Sequence, residues 1–334
     1  MLSIEITREC PLSCPGCYAY GADHLGGDIT LTQVSDYRGD QLVDGVVDLV
    51  RKHKPLHVTL VGGEPLVRHR ELSRILPQLS AMGIYTLVVT SGIIPIPMEW
   101  MSLPGFAVAV SIDGLPEHHD VRRKPATYER ILANLQGRTV NVHWTIVQNN
   151  MERANYREEY VRFWNSRPEI DRILVSTYSP QLGEKTPEML TPESRRQLSE
   201  ELAILARAYP KLFWSDKLSE ALLNPPKNPN HCIYSKMSIN YTADLEKRVE
   251  PCVFGGSPDC SQCGCAFSVG AHRIGDYKIA GILPTRYLVE GSVTIGKLVA
   301  AMDSKSHELV RWSTRPAIKP EPTPNGLVNI QVEE

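Results

Sequence analysis

No stretch of this sequence approaches the roughly 18 uninterrupted apolar residues that a membrane span requires. An excess of charge is missing too: 36 Lys and Arg stand against 38 Asp and Glu, a formal net charge of −2. Such a balance gives no electrostatic footprint for nucleic acid. Aromatic residues make up only 7% of the chain, few for a platform that stacks unpaired bases. The opening residues, MLSIEITRE, have neither the basic start nor the apolar core of a secretory signal. Disorder is excluded by a hydrophobic content of 42% at so small a net charge. A soluble, cytoplasmic protein is therefore expected, with no nucleic-acid partner and no membrane span. Its 334 residues suit one large or two medium domains.

Cysteine is absent from most of the chain, and its placement is informative for that reason. Three residues fall at 10, 14 and 17, none follows for over two hundred positions, and five return at 232, 252, 260, 263 and 265. Secreted disulfide frameworks are short and cysteine-dense, unlike this chain. Clustered thiols at fixed spacing point instead to metal ligation, the alternative being small buried hydrophobes.

From residue 1 to about 208, short apolar runs alternate with longer amphipathic ones. Strands are predicted over 2–7, 57–61, 85–90, 106–112, 140–147 and 171–177. Helices are predicted over 40–53, 70–82, 127–136, 155–165 and 192–208, the last opened by Thr191 as N-cap. This alternation implies an α/β fold with a parallel sheet, curled by right-handed crossovers into a partial (β/α)6 TIM-like barrel. Active sites in such sheets lie at the carboxyl ends of the strands. The motifs fall there: Cys10 after the first strand, Gly62 to Pro65 after the second, Thr90 and Ser91 after the third, Ser111 to Gly114 after the fourth, and Asn149 after the fifth. The predicted organisation is a barrel over 1–208, a linker over 209–231, a small cysteine-rich extension over 232–275, and a further extension and tail over 276–334. Helix is excluded from the linker segment NPPKNPN at 224–230 by its prolines. The tail, with Pro316, Pro320, Pro322 and Pro324, is expected to be extended or loosely attached.

Cys10, Cys14 and Cys17 have the spacing C-x3-C-x2-C. Three thiolates so placed can wrap one face of a [4Fe–4S] cube and leave the fourth iron open to a substrate. Structural zinc wants four closed ligands, and no histidine within the motif supplies the fourth. The motif resembles that of the radical S-adenosylmethionine (SAM) superfamily, with Tyr18 as the adjacent aromatic. Gly62-Gly63-Glu64-Pro65 resembles the family's G-G-E-P motif, which holds the methionine amino group. Two glycines allow close backbone approach there, and carbonyls or a carboxylate suit an ammonium group. Ser111-Ile112-Asp113-Gly114 resembles the V-S-I-D-G segment, whose serine helps hold the SAM carboxylate or ribose. Thr90 and Ser91 stand where the family places ribose-binding groups, and Arg123, beside Arg122, near the SAM carboxylate. Asn149 is either a cofactor contact or a loop cap. The resemblance covers roughly residues 2–180. It implies a radical SAM barrel, a [4Fe–4S] cluster on Cys10, Cys14 and Cys17, SAM, and a flavodoxin or ferredoxin-type reductant. It further implies reductive cleavage of SAM to methionine and a 5′-deoxyadenosyl radical, the barrel supplying position and water exclusion.

Four of the five late cysteines suffice for a closed four-thiolate site, zinc or iron–sulfur. The segment from Cys232 through Y-S-K-M-S-I-N-Y to V-E-P-C at Cys252 resembles the start of twitch and SPASM extensions, which carry auxiliary clusters. On that resemblance Cys232, Cys252, Cys260 and Cys263 are the expected ligands of an auxiliary [4Fe–4S] cluster. Cys265 is a spare or replaces Cys232, and five thiols are too few for two fully ligated clusters.

A narrower resemblance links G-G-E-P-L-V, T-S-G and S-I-D-G-L-P-E-H-H-D to the hopanoid radical SAM enzymes that add the adenosyl radical to an alkene, although Val89 stands where that family carries cysteine. The expected activity is hydrogen abstraction from a small molecule: an oxidation, epimerisation or rearrangement in specialised metabolism. Radical addition to an alkene and peptide maturation are the alternatives, and a non-enzymatic electron carrier or redox sensor is a more distant one. Small molecule is preferred over peptide because maturases commonly carry an N-terminal peptide clamp, and here the first strand starts at Leu2. Glu5, His143, Thr145, Ser176 and Tyr178 are candidates for the barrel interior.

Overall fold

The computed structural model describes residues 1–20, 35–125 and 127–303. Two compact units divide the chain, Met1–Val289 and Glu290–Glu334. In the second, the described residues are helical and end at Asp303. The proline-rich tail lies outside the described residues.

The first unit is built on a seven-stranded sheet in the order β6-β5-β4-β3-β2-β1-β7. Its strands are β1 (Leu2–Glu5), β2 (His57–Val61), β3 (Tyr85–Thr90), β4 (Phe106–Ser111), β5 (Val140–Ile146), β6 (Ile170–Thr177) and β7 (Ile239–Tyr241). Every pairing is parallel, with Leu2 opposite Val58, Thr59 opposite Leu87 and Ser111 opposite His143. The sheet is open and ends on β6 and β7, so among the described residues the predicted partial (β/α)6 barrel is an α/β parallel sheet and not a closed ring. The intervening helices α1 (Gly39–His53), α2 (His69–Ala81), α3 (Pro116–Arg122), α4 (Tyr128–Leu135), α5 (Tyr156–Ser166) and α6 (Pro192–Ala208) follow the predicted pattern, with a short helix, α3, added.

Period-two alternation puts Val58 and Leu60, Val108 and Val110, and Val142 and Trp144 in the core, all at most 1% exposed. Trp144 stacks on Tyr160 of α5 at 3.9 Å between ring centroids. The intervening residues, Thr59, Val61, Leu87, Val89, Ala109, Ser111, His143 and Thr145, face a cavity on the other side. Thr191 caps α6 by accepting from Ser194 N at 3.1 Å, as its sequence position predicts.

Three features of the later chain depart from the prediction. A helix, α7 (Asp216–Leu223), occupies part of 209–231. A 3-10 turn at Pro229–His231 ends the segment from which helix was excluded; Pro229 sits at its start, where a missing N–H costs nothing. The seventh strand, β7, pairs in parallel with β1, and Ile239 N donates to Met1 O at 3.0 Å. A short helix, α8 (Ile233–Met237), precedes it, and beyond it lie α9 (Ala266–Asp276), a small hairpin of β8 (Lys278–Ile279) and β9 (Leu283–Pro284), and α10 (Thr285–Asp303).

The late cysteine segment is joined to the free edge of β6. Thr177 N donates to Gly264 O at 2.9 Å, Gly264 N to Ser179 Oγ at 2.9 Å and Ala266 N to Ser176 Oγ at 3.0 Å. Leu182 N donates to Ser257 O and Asp259 N to Pro180 O, both at 2.8 Å. Edge groups that would otherwise stay open are thereby paired. Gly264 is required by this contact, since a Cβ there would lie 1.6 Å from Thr177 Oγ1.

Candidate active site

The carboxyl ends of the strands open into a cavity of about 1370 Å³. Cys10, Cys14, Cys17, Tyr18, Gly62, Gly63, Thr90, Ser91, Ser111, Asp113 and Arg123 line it. Residues up to 113 positions apart in sequence thus share one wall. Of the interior candidates, His143, Thr145, Ser176 and Tyr178 also line it, whereas Glu5 is buried outside the lining set. Pro65 is buried behind the wall at the start of a 3-10 turn, Pro65–Arg68. Asn149 is exposed on a separate 3-10 turn, Gln148–Met151, and does not line the cavity; the capping bond of this turn belongs to its neighbour Asn150, whose Oδ1 accepts from Val147 N at 2.9 Å.

The glycine pair clasps the cysteine loop. Gly63 N donates to Thr7 O at 2.7 Å and Glu64 N to Glu9 O at 2.8 Å, immediately before Cys10. A Cβ on Gly62 would come within 2.4 Å of Thr7 O, and one on Gly63 within 2.3 Å of Glu9 O. The close approach expected of these glycines is therefore made to the chain's own backbone. On its far side the loop is held by Ser13 N, which donates to Lys124 O at 2.9 Å. Burial pushes the Cys10 thiol up to about 11 and raises that of Cys14 as well. Thiols held this way ionise readily only against a cation, and coordination to iron supplies one.

Glu64 is fully buried and absent from the cavity wall. Its carboxylate accepts from Thr90 Oγ1 at 2.6 Å, Ser91 N at 2.8 Å and Leu66 N at 2.9 Å, and from Ser91 Oγ. That side chain thus fixes Thr90, the last residue of β3, and Ser91 just after it. Asp113 is 2% exposed and accepts from Arg122 Nε at 3.0 Å, Arg123 Nε at 2.9 Å and Thr145 N at 3.2 Å. Despite burial, the two guanidiniums hold its carboxyl well below the usual range. Arg122 is engaged a second time by Glu188, which leaves Arg123 the less constrained of the pair. Behind them His119, wholly buried, accepts from Asp113 N at 3.2 Å through Nδ1, and burial depresses it to about 4.

The five late cysteines line one small cavity together, with Ser179, Tyr234 and Ser268 among its other walls. Cys265 also lines the large cavity, so a single thiol borders both. Ser268 Oγ lies 3.4 Å from Cys232 Sγ. All eight cysteines are free. Among the described residues, no three His, Cys, Asp or Glu side chains close on a single-ion position.

Residues 4–139 match the sequence model of the Radical SAM superfamily. Those residues carry a radical SAM domain. Over 89 residues it is 35% identical to the PqqA peptide cyclase of Rhizobium meliloti, covering 27% of this chain and 21% of that protein. Over 163 residues it is 30% identical to the pre-heme d1 synthase of Dinoroseobacter shibae, covering 44% and 36%. The chain thus spans about a fifth to a third of the length of these curated relatives. The crystal structure of Streptococcus suis SuiB bound to S-adenosylmethionine superimposes with a TM-score of 0.52 at 14% identity, covering 72% of this chain and 56% of that one. SuiB bound to the precursor peptide SuiA gives 0.51 at 15%, covering 72% and 57%. At that identity the likeness establishes the fold. The late cysteines lie outside the span that matches the radical SAM family, so their clustering and the segment between Cys232 and Cys252 are what mark them as a group in sequence. Arg122 lines the cavity together with Arg123, and the Arg-Arg doublet is its only signal in the sequence.

Proposed function

We propose that this chain is a radical SAM enzyme acting on a peptide. The observation that carries the catalytic reading is the meeting of Cys10, Cys14 and Cys17 with Gly62, Gly63, Ser111, Asp113 and Arg123 on one cavity wall. The donor set fits a [4Fe–4S] cluster with one iron left open, since three thiols stand together without a fourth ligand in the motif. Bound there, cluster and SAM supply reductive cleavage of SAM and a hydrogen-abstracting 5′-deoxyadenosyl radical. The chain's own residues do the rest. Carbonyls of Gly62 and Gly63 receive the amino group, Arg123 the carboxylate, and Thr90, Ser91 and Ser111 offer hydroxyl oxygens to the ribose.

The peptide reading rests on the relatives named PqqA peptide cyclase, which outweigh the small-molecule expectation drawn from sequence alone. A cavity of about 1370 Å³ exceeds the roughly 300–1,000 Å³ of ordinary ligand pockets and leaves room beside the cofactor. A second reading, a small-molecule substrate, is favoured by the longer match to pre-heme d1 synthase. For the late cysteines we infer an auxiliary [4Fe–4S] cluster: five thiols spread around one cavity suit a cluster better than one ion. Eight free thiols suit a reducing, cytoplasmic setting and a flavodoxin or ferredoxin-type reductant.

The anaerobically reconstituted protein, reduced with SAM present, is expected to form 5′-deoxyadenosine, and the Cys10/Cys14/Cys17→Ala triple variant to form none. Undiminished formation by that variant would overturn the assignment. Deuterium transfer into 5′-deoxyadenosine from labelled short peptides encoded beside the gene supports the peptide reading; transfer only from a low-molecular-mass metabolite fraction selects the second.

A further inference from the structure

Arg195 of α6 is 7% exposed, and its guanidinium is spent on the backbone of the late cysteine region. Nε and Nη2 donate to Leu222 O at 3.0 and 2.8 Å, Nη1 donates to Gln262 O at 3.0 Å, and Nη2 also donates to Cys263 O. Among the described residues no carboxylate pairs with it, whereas Arg157 on the preceding helix, equally buried, is paired with Glu201. Burying a guanidinium without an anion is costly, because three neutral carbonyls satisfy its hydrogens but do not cancel its charge. A fold that spends a buried cation on the carbonyls of residues 262 and 263 has its missing anion beside it, in the cavity lined by five thiols.

We propose that Arg195 is the resident countercharge of the late cysteine site, holding an anionic thiolate cluster there and raising its reduction potential. The inference rests on the reading that these thiols hold iron–sulfur. A four-thiolate [4Fe–4S] centre is anionic and becomes more so when reduced, so a fixed cation beside a ligand loop favours the reduced form. The centre is thereby suited to accept an electron. Arg195 acts here as a positioning residue; its contacts are to ligand-bearing backbone and not to substrate.

The test uses the Cys10/Cys14/Cys17→Ala variant, in which any remaining iron belongs to the late cysteines. Arg195, Arg195→Lys and Arg195→Gln forms are reconstituted with iron and sulfide and compared by metal content and by spin-resonance redox titration. The Arg195 and Arg195→Lys forms should hold about four irons with similar potentials, following one four-thiolate cluster. In Arg195→Gln the reduced-to-oxidised ratio at a fixed ambient potential should fall at least tenfold, about 59 mV for a one-electron couple. Loss of iron from Arg195→Gln alone would also support the proposal, since the lysine keeps the charge and not the hydrogen-bonding fork. Equal potentials in all three forms, or loss of iron from both substituted forms, would overturn it. Zinc, or no metal, in the Arg195 form would instead overturn the auxiliary-cluster reading on which it stands.

Discussion

Replacing Glu64 by glutamine separates a scaffold role from a cofactor contact. One carboxylate oxygen takes Thr90 Oγ1 and Leu66 N, the other Ser91 N and Ser91 Oγ. Either orientation of the amide turns its NH2 toward one backbone N–H, of Leu66 or of Ser91. The two hydroxyls can rotate, but that N–H cannot. A stranded buried donor costs about 1–3 kcal/mol, and the remaining bonds lose their charge assistance, giving a total of about 2–4 kcal/mol. Against a typical stability of about 5–15 kcal/mol that is a large fraction. At a urea slope of about 3 kcal/mol/M, the unfolding midpoint should fall by roughly 1 M. The assay is urea unfolding of metal-free, SAM-free protein, followed by circular dichroism. Ser111→Ala is the contrast: its side chain faces the cavity, so the midpoint should hold while SAM titration weakens about tenfold or more. If Glu64→Gln unfolds at the parent midpoint and loses only SAM affinity, the scaffold role is wrong and the carboxylate belongs to the cofactor.

Further outcomes can be checked in the same preparation. Gly264→Ala should detach the late segment from β6, because its Cβ has no room beside Thr177, and late-site iron should fall with a stability loss of about 1–3 kcal/mol; full iron retention would contradict this. His119 is depressed to about 4 in the fold against 6.5 for the free group, so the unfolded chain binds the extra proton between those values. Its contribution is complete above pH 6.5 and is lost as pH falls toward 4, about 2 kcal/mol by pH 5. A His119→Gln variant should show a correspondingly flatter decline between pH 7 and 5, and an unchanged slope would refute the burial argument. Asn149→Ala should leave SAM binding as it is, given that side chain's exposure, and a tenfold weakening would place it in the site after all.

Alternating apolar residues such as Val58 and Leu60 specify strands wherever the chain falls, and Thr191-Pro192 opens a helix through its own hydroxyl and ring. The six predicted strands, the five long helices before residue 209 and the cysteine triad with its adjoining glycines were legible for that local reason. What a side chain does once several loops converge is not local. That Glu64 holds Thr90 and Ser91 is decided only when β3 brings them to it. Asn149 and Asn150 are indistinguishable in sequence, and only the turn decides which is inside. The three residues of β7 carry too little periodicity to be seen, and are strand because β1 offers an edge. Arg195 is one of 36 basic residues until α6 buries it against residues 222, 262 and 263. Charge, burial and pairing at these positions depend on groups tens of residues away, which the folded chain alone brings within hydrogen-bonding distance.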